Sequence, residues 1–521
     1  MTQQHSPVDL FIIGGGVNGC GIARDAAGRG YTVTLAEMND LASATSSAAT
    51  KLFHGGLRYL EFFELRLVRE ALGERETLLR AMPHISWPMR FVLPLHPDMR
   101  FDGDTPASRL LGTVMPWLKG RRPAWMIRAG LFLYDHMGGR KILRGTTTID
   151  LQTDIAGTAL KPHLTRAFEY SDCWVEDARL TLLNARDADA RGANIMVQTK
   201  VIAANFNEGL WYIDVRLPDG QIQTRQARML VNAAGPWVGD VIQQRLGLDS
   251  SENVRLVRGS HIITRRLFDH DKCYFFQGSD GRIIFAIPYE EDFTLIGTTD
   301  MDHTSPDQKP QCTQGEANYL RTFAGEYFNT PIASDDIVWT YSGVRPLYDD
   351  GADSATAATR EYVLRTDTSA GGPVLNVFGG KITTYRRLAE AALEMIDHGL
   401  GADTEKWTSG VALPGGDFAV DGVPALREAL RQQLPFFEGF TIRRLIRQYG
   451  TEAAGIFSGA ACQADLGEDF GGGISACELD WAIAHEWVRS ADDFLWRRSK
   501  MGLRMNADQV ARIEAYIHDH Q

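Results

Sequence analysis

Apolar positions at the start of the chain fall into a strand–turn–helix–strand pattern. Val8 to Ile13 is a short run rich in β-formers, interrupted only by Asp9, and it ends in Gly14-Gly15-Gly16. Ile22, Ala23, Ala26 and Ala27 recur at helical spacing as a small-residue face, and a second β-type run, Tyr31 to Ala36, ends at Glu37. The pattern predicts a βαβ unit. Further along, Trp211 to Leu217 reads as a strand. Residues 229–237 (MLVNAAGPW) predict a strand running into Ala233-Ala234-Gly235, and 374–387 (VLNVFGGKITTYRR) a strand, a Gly379-Gly380 turn and a helix start. The stretch from about 252 to 340 is β-rich. From about 401 the character changes: Pro414-Gly415-Gly416 marks a linker, and amphipathic periods such as Glu428 to Leu434 and Ile442 to Tyr449 predict helices. No solenoid repeat or low-complexity run breaks this order, and 521 residues suffice for two or three domains.

The glycines bring the first chemistry. Gly14, Gly16 and Gly19 fit G-x-G-x-x-G. The first permits a tight strand-to-helix turn, the second lets backbone approach a pyrophosphate, and the third lets helix and strand pack closely. The helix N-terminus offers N–H groups and a positive dipole end to that pyrophosphate. Glu37 stands where both ribose hydroxyls could donate to it, and an acid there disfavours a 2′-phosphate. Strand, glycines, helix, strand and acid together predict a dinucleotide site, although this unit alone does not separate NAD from FAD. The turns at Gly235 and Gly380 favour FAD. A glycine pair at a helix start suits a flavin carbonyl that gains negative charge on reduction. The expected fold is α/β: a two-dinucleotide-binding, Rossmann-like FAD domain, an antiparallel β-sheet substrate domain and a C-terminal helical domain. An FAD-dependent oxidoreductase region spans 1–400, with a cofactor subdomain at 1–80, 150–250 and 340–400 and a substrate sheet at about 252–340. The helical domain spans 401–521.

Charge narrows the partners. The formal net charge is −12, so the surface as a whole disfavours nucleic acid, and an anionic substrate needs a local basic cluster. The six cysteines are scattered without CxxC or zinc spacing, which predicts no metal centre and a reducing compartment. Met1 to Asp9 is short and polar, so no signal peptide is expected, and no window has the roughly 18 apolar residues of a membrane span. Residues 81–145 stand apart. They hold ten Lys or Arg against four Asp, interleaved with Trp87, Phe91, Trp117, Trp125, Phe132 and Tyr134. Basic residues beside aromatic ones describe an element that binds anionic headgroups while its apolar face enters the acyl region. The competing reading is a pair of domain-packing helices. The expected location is cytoplasmic, peripherally attached to the inner face of the cell membrane.

Long motifs then resemble a known family. Residues 45–60 (TSSAATKLFHGGLRYL), 342–347 (SGVRPL) and 378–386 (FGGKITTYR) look like the bacterial flavin-dependent glycerol-3-phosphate dehydrogenases. So do 170–180 (YSDCWVEDARL), 258–263 (RGSHII), 297–300 (GTTD) and 485–498 (HEWVRSADDFLWRR). The stretch from about Phe101 to Arg122 looks inserted relative to that pattern. The resemblance implies FAD, oxidation of sn-glycerol 3-phosphate to dihydroxyacetone phosphate, and electron delivery to a membrane quinone, either ubiquinone or menaquinone. The oligomeric state stays open, a homodimer included.

That chemistry needs a proton acceptor near the substrate's 2-hydroxyl and cations for its phosphate. By resemblance, Arg345, Lys381, Arg58 and Tyr59 line the substrate pocket, and Arg360 is a further phosphate candidate. His261 is the chosen proton acceptor, since imidazole titrates near working pH, with His54 as its competitor. Ser46, Ser47 and Lys51 are expected at the FAD phosphates or ribityl chain, with Gly55 among the cofactor glycines. Alternatives are an oxidase returning electrons to dioxygen, an amine-oxidising flavoenzyme, and a flavin-binding scaffold without turnover.

Overall fold

The structure is a computed structural model that describes residues 6–97, 99–101, 105–118, 120–248, 252–278, 281–349 and 361–521. The first strand, Val8–Ile13, pairs in parallel with Val33–Ala36 on one side and Ile222–Asn232 on the other. Asn194–Met196 and Val374–Phe378 extend this parallel layer outward. A parallel sheet covered on both faces needs strands that are apolar on both sides, and Leu10, Phe11 and Ile12 are fully buried. Asp9 interrupts the run at the strand's outer end, where its carboxylate accepts from Thr32 N at 2.9 Å and pairs with Arg228 at 2.9 Å. The helix Val17–Gly28 packs over the sheet against helices Asp177–Ala190 and Tyr385–Leu400. Its small face is required there, since a Cβ on Gly21 would stand 2.9 Å from the Tyr385 ring.

The second sheet is larger than the sequence pattern predicts. It contains Val254–Arg265, Phe293–Gly297, Ile283–Tyr289 and Cys273–Gln277 from the expected stretch, and Ile337–Tyr348, which continues past it. It also recruits Leu52–Phe53, Ser86–Pro94, Thr147–Asp150 and Arg166–Val175. Cys273–Gln277 joins Ser86–Pro94 in parallel, so the sheet is mixed rather than purely antiparallel. Pairing between residues about 180 apart, such as Cys273 with Phe91, leaves no trace in local periodicity.

The segment 81–145 therefore divides. Phe91 and Tyr134 are core residues, and Trp87 stacks on Trp174. Two helices, Pro106–Val114 and Ala124–Met137, carry the exposed part. The first starts where Thr105 accepts from Ser108 N at 3.1 Å and Pro106 occupies the first turn, a favourable start. Among the described residues, no helix is long and apolar enough to cross a membrane. The C-terminal domain is built on helices Val423–Gln433, Gly439–Tyr449, Ala476–His485 and Ala507–Asp519.

Candidate active site

A cavity of about 360 Å³ opens where the two sheets meet the first helix. Gly14, Gly16, Val17 and Asn18 line it from the strand-to-helix turn. Gly14 adopts φ +113°, and a Cβ there would lie 2.5 Å from Ala233 O. A Cβ on Gly19 would lie 2.0 Å from Gly14 O, so this glycine shapes the turn from outside the lining. Gly16 has space apart from Ser46 Oγ at 3.2 Å, which leaves its backbone approachable from the cavity. Ser46 also lines the cavity and accepts from Val17 N at 2.9 Å, serving as a cap that the sequence pattern does not show. Asn18 Oδ1 is buried without a hydrogen-bond partner among the described residues, and Nδ2 donates to Gly379 O at 3.1 Å.

Glu37 lines the cavity, with Oε2 accepting from Gly15 N at 2.7 Å and Oε1 from Asn39 N at 2.8 Å. Burial pushes its carboxyl above the usual range, while those N–H groups oppose the shift. Each oxygen keeps a further acceptor site for a ribose hydroxyl. Gly235 and Gly380 also line the cavity, both with positive φ, so the three glycine turns converge on one site. These residues fit FAD: a helix N-terminus with close backbone approach, an acid for ribose, and a glycine pair for the flavin end.

The second sheet supplies the opposite wall. His261 sits on Val254–Arg265, paired with Tyr341 on one side and Gly297 on the other. Its ring stacks on Tyr341 with centroids 4.6 Å apart, and a Cβ on Gly297 would stand 2.1 Å from it. Nε2 is 3.0 Å from Thr50 Oγ1, and Nδ1 is buried without a partner among the described residues. Burial, with Arg345 and Lys51 nearby, holds its proton affinity well below 6.5, so the ring is neutral at pH 7. The titration near working pH expected from the sequence does not hold in the folded chain. Thr50 and Tyr341 contact His261 directly, and no local pattern singles them out, although Thr50 lies within the 45–60 motif and Tyr341 adjoins SGVRPL.

Arg345 reaches the same cavity, where Nη1 pairs with Asp300 at 2.6 Å and Nη2 donates to Thr298 Oγ1 at 3.2 Å. Lys381 Nζ lies 3.8 Å from the centroid of the Tyr59 ring, and Tyr59 and His54 line the cavity beside it. The other expected residues lie elsewhere. Lys51 is committed to a buried ion pair with Asp177 at 2.6 Å and donates to Ser47 O at 3.1 Å, and Ser47 Oγ donates to Ala44 O at 3.4 Å. Gly55 is a packing glycine: its N–H donates to Tyr134 Oη at 2.7 Å, and a Cβ would meet Leu72 at 2.3 Å. Arg360 lies outside the described residues.

Arg58 lines a second cavity of about 370 Å³. This one lies between residues 57–63 and helices Pro106–Val114 and Ala124–Met137, and its walls include Leu60, Leu93, Leu110, Val114 and Leu133. Trp117 is 74% exposed, Val114 64% and Leu110 58%, so the surface here is apolar as well. Arg122 is buried in an ion pair with Glu61, whereas Arg109, Arg121 and Lys141 are exposed. No group of three or more His, Cys, Asp or Glu that could hold a metal occurs among the described residues.

Comparison with known proteins agrees with this construction. Residues 9–386 match the family "FAD dependent oxidoreductase", and residues 406–518 match the "C-terminal domain of alpha-glycerophosphate oxidase". The chain is 46% identical over 508 residues to the D-erythritol 1-phosphate dehydrogenase of Brucella abortus (strain 2308), covering 97% of each. It is 45% identical over 512 residues to the aerobic glycerol-3-phosphate dehydrogenase of Escherichia coli (strain K12), covering 98% of this chain and 97% of that one. The solved glycerol-3-phosphate dehydrogenase from Bacillus halodurans, complexed with FAD, shares the fold. It superposes with TM-score 0.71 at 24% identity, over 99% of this chain and 95% of that chain. The chain is thus an FAD-dependent enzyme, and it belongs to the FAD-dependent oxidoreductases in the family of the bacterial glycerol-3-phosphate dehydrogenases.

Proposed function

We propose that this enzyme oxidises sn-glycerol 3-phosphate to dihydroxyacetone phosphate and passes the electrons to a quinone at a membrane surface. The observation that carries the first half is the convergence of His261, Arg345 and Lys381 on the cavity that the three glycine turns enclose. FAD, when bound, supplies the two-electron acceptor. His261 takes the proton of the substrate's 2-hydroxyl, because a neutral buried imidazole has a lone pair available at pH 7. Arg345 and Lys381 hold the phosphate, with Tyr59 orienting the lysine through its ring face. Phosphate beside Arg345 offsets one of the cations that depress His261, so bound substrate makes the base stronger than it is in the free enzyme.

The second half is supported by the apolar cavity and its exposed rim, which suit a quinone and a lipid surface, and by the exposed side chains of Arg109, Arg121 and Lys141 in the 81–145 segment. Anaerobic addition of sn-glycerol 3-phosphate should bleach the flavin, and a quinone should restore its colour faster than dioxygen does. A flavin that stays oxidised defeats the reading. Faster reoxidation by dioxygen, with peroxide formed, makes the protein an oxidase. The 46% identity to a D-erythritol 1-phosphate dehydrogenase supports a second reading, in which a four-carbon polyol phosphate is the better substrate. Bleaching rates with the two substrates side by side decide between them.

A further inference from the structure

One short segment of the C-terminal domain contacts residues that stand behind both walls of the cofactor cavity. Residues Asp493–Arg498 form a π-helical turn, and Lys500 follows with φ +58°. Arg498 grips Asp40 as a fork, Nη1 to Oδ2 at 2.5 Å and Nη2 to Oδ1 at 2.8 Å, and Arg497 pairs with the same carboxylate. The Asp40 and Arg498 side chains are 5% and 1% exposed. Asp40 follows the strand that ends before Glu37, at the head of a loop whose residues Asn39, Ala42, Ser43 and Ala44 line the cofactor cavity. On the other wall, Trp496 stacks on Trp339 with centroids 4.2 Å apart, Trp339 leans on Tyr341, and Tyr341 stacks on His261.

We propose that Asp40, Arg497 and Arg498 are positioning residues through which the C-terminal domain holds the 38–46 loop in its FAD-binding conformation. None of the three lines the cavity, so they reach the cofactor through the loop backbone, beside the charge that Asp40 adds near Glu37. That backbone needs holding. Ala42 sits at φ +60°, a region that L side chains rarely adopt, and its N–H must still reach Gly15 O at 3.1 Å within the glycine turn. Ser43 N donates to Asp40 O at 3.1 Å, so the gripped residue is itself the start of the turn that presents Ser43 and Ala44 to the cofactor. A buried carboxylate without its guanidinium partners would draw water or twist away to reach solvent. Either response moves Asn39 and Ala42, the residues that close the cavity beside Glu37.

The C-terminal domain is also tied to the rest of the chain by Arg186, on the helix Asp177–Ala190, which pairs with Glu452 at 2.7 Å outside the Asp40 ion pair. That pair separates loop positioning from simple docking. The test compares holoenzymes carrying Asp40→Asn, Arg498→Gln, Arg498→Lys or Arg186→Gln, by release of fluorescent free FAD on dilution, with far-UV circular dichroism as the check on folding. Asp40→Asn and Arg498→Gln should weaken FAD binding about 5–150-fold, the usual range of coupling between two sites. Arg498→Lys, which keeps the charge but loses the fork, should fall between them and the wild type, and Arg186→Gln should hold FAD as the wild type does. The readout needs no substrate, so it stands apart from the choice of polyol phosphate. If Arg498→Gln does not fold, Asp40→Asn and Arg498→Lys still decide. FAD held at wild-type affinity in both, or released equally by Arg186→Gln, overturns the proposal.

Discussion

The two cavities are nearly equal in volume, about 360 and 370 Å³, and opposite in lining. The first is ringed by glycine turns, Glu37, His261, Arg345 and Lys381, and the second by leucines and an exposed aromatic rim. One stretch of chain serves both. His54 and Tyr59 line the polar cavity, and Leu57, Arg58, Leu60 and Glu61 line the apolar one. The tight turn at Gly56, φ +72°, precedes a 3-10 helix whose three-residue period sends neighbouring side chains in different directions. The contrast teaches that residues adjacent in a motif need not share a site. Arg58 and Tyr59 sit side by side in sequence and are divided between the apolar cavity and the polar one.

The largest break in this comparison is at the glycine turn. Gly19→Ala puts a methyl 2.0 Å from Gly14 O, so the helix must separate from the strand. The purified variant should lack flavin absorbance, while the apolar cavity, built from other elements, keeps its form. His261→Gln should come next, slowing flavin reduction about 10²–10⁴-fold with FAD still bound. Stopped-flow reduction checks this, and a wild-type rate would pass the role to His54. Because the folded His261 takes a proton only well below pH 6.5, reduction of the wild type should not show a break near 6.5 in the free enzyme.

Arg345→Ala should cost about 2–5 kcal/mol in kcat/KM, most of it as a raised KM for the phosphate ester. The released Asp300 adds repulsion to the lost attraction, so Arg345→Ala with Asp300→Asn should recover part of the loss. On the apolar side, Leu110→Asp with Trp117→Ser should lower turnover with a long-tailed quinone and spare a soluble dye acceptor. Charge reversal at Arg109, Arg121 and Lys141 should weaken sedimentation with anionic liposomes, by about 1 kcal/mol per residue removed from the surface. Equal losses with dye and quinone would merge the two cavities into one function.

The smallest effect is on stability in acid. His84 and His261 are both buried and neutral, with proton affinities held well below 6.5, chiefly by burial. Unfolding lets both take up protons near pH 6.5, so below that value the unfolded chain binds more protons than the folded one. Their contribution is complete above 6.5 and is lost as pH falls toward the folded values. Denaturant midpoints measured from pH 7.5 to 5.5 should fall, and by less in His84→Gln.

The dinucleotide half was legible because its determinants are local. Gly14, Gly16 and Gly19 act on neighbours within one turn, and an apolar run such as Val8–Ile13 can be satisfied only inside a covered sheet. The family motifs added His261, Arg345, Lys381 and Tyr59 as candidates for the substrate pocket, and these four line one cavity. Local reading could not separate residues that touch the cavity from those that shape it. Lys51 looks like a ligand of the FAD phosphates or ribityl chain until Asp177, 126 positions away, takes its charge, and Gly55 looks like a cofactor glycine until Leu72 fills the space beside it. The basic count in 81–145 likewise hid that Arg122 is spent on Glu61 and that Phe91 belongs to a sheet core.

Sequence by itself determined the cofactor class, the order of domains and the residue types available for catalysis, since these rest on backbone stereochemistry and hydrophobic period. Only the tertiary structure decided which charges are free to meet a ligand and what each group's proton affinity is. Those depend on burial and on partners brought from far along the chain, and desolvation acts on the folded neighbourhood, not on the residue type.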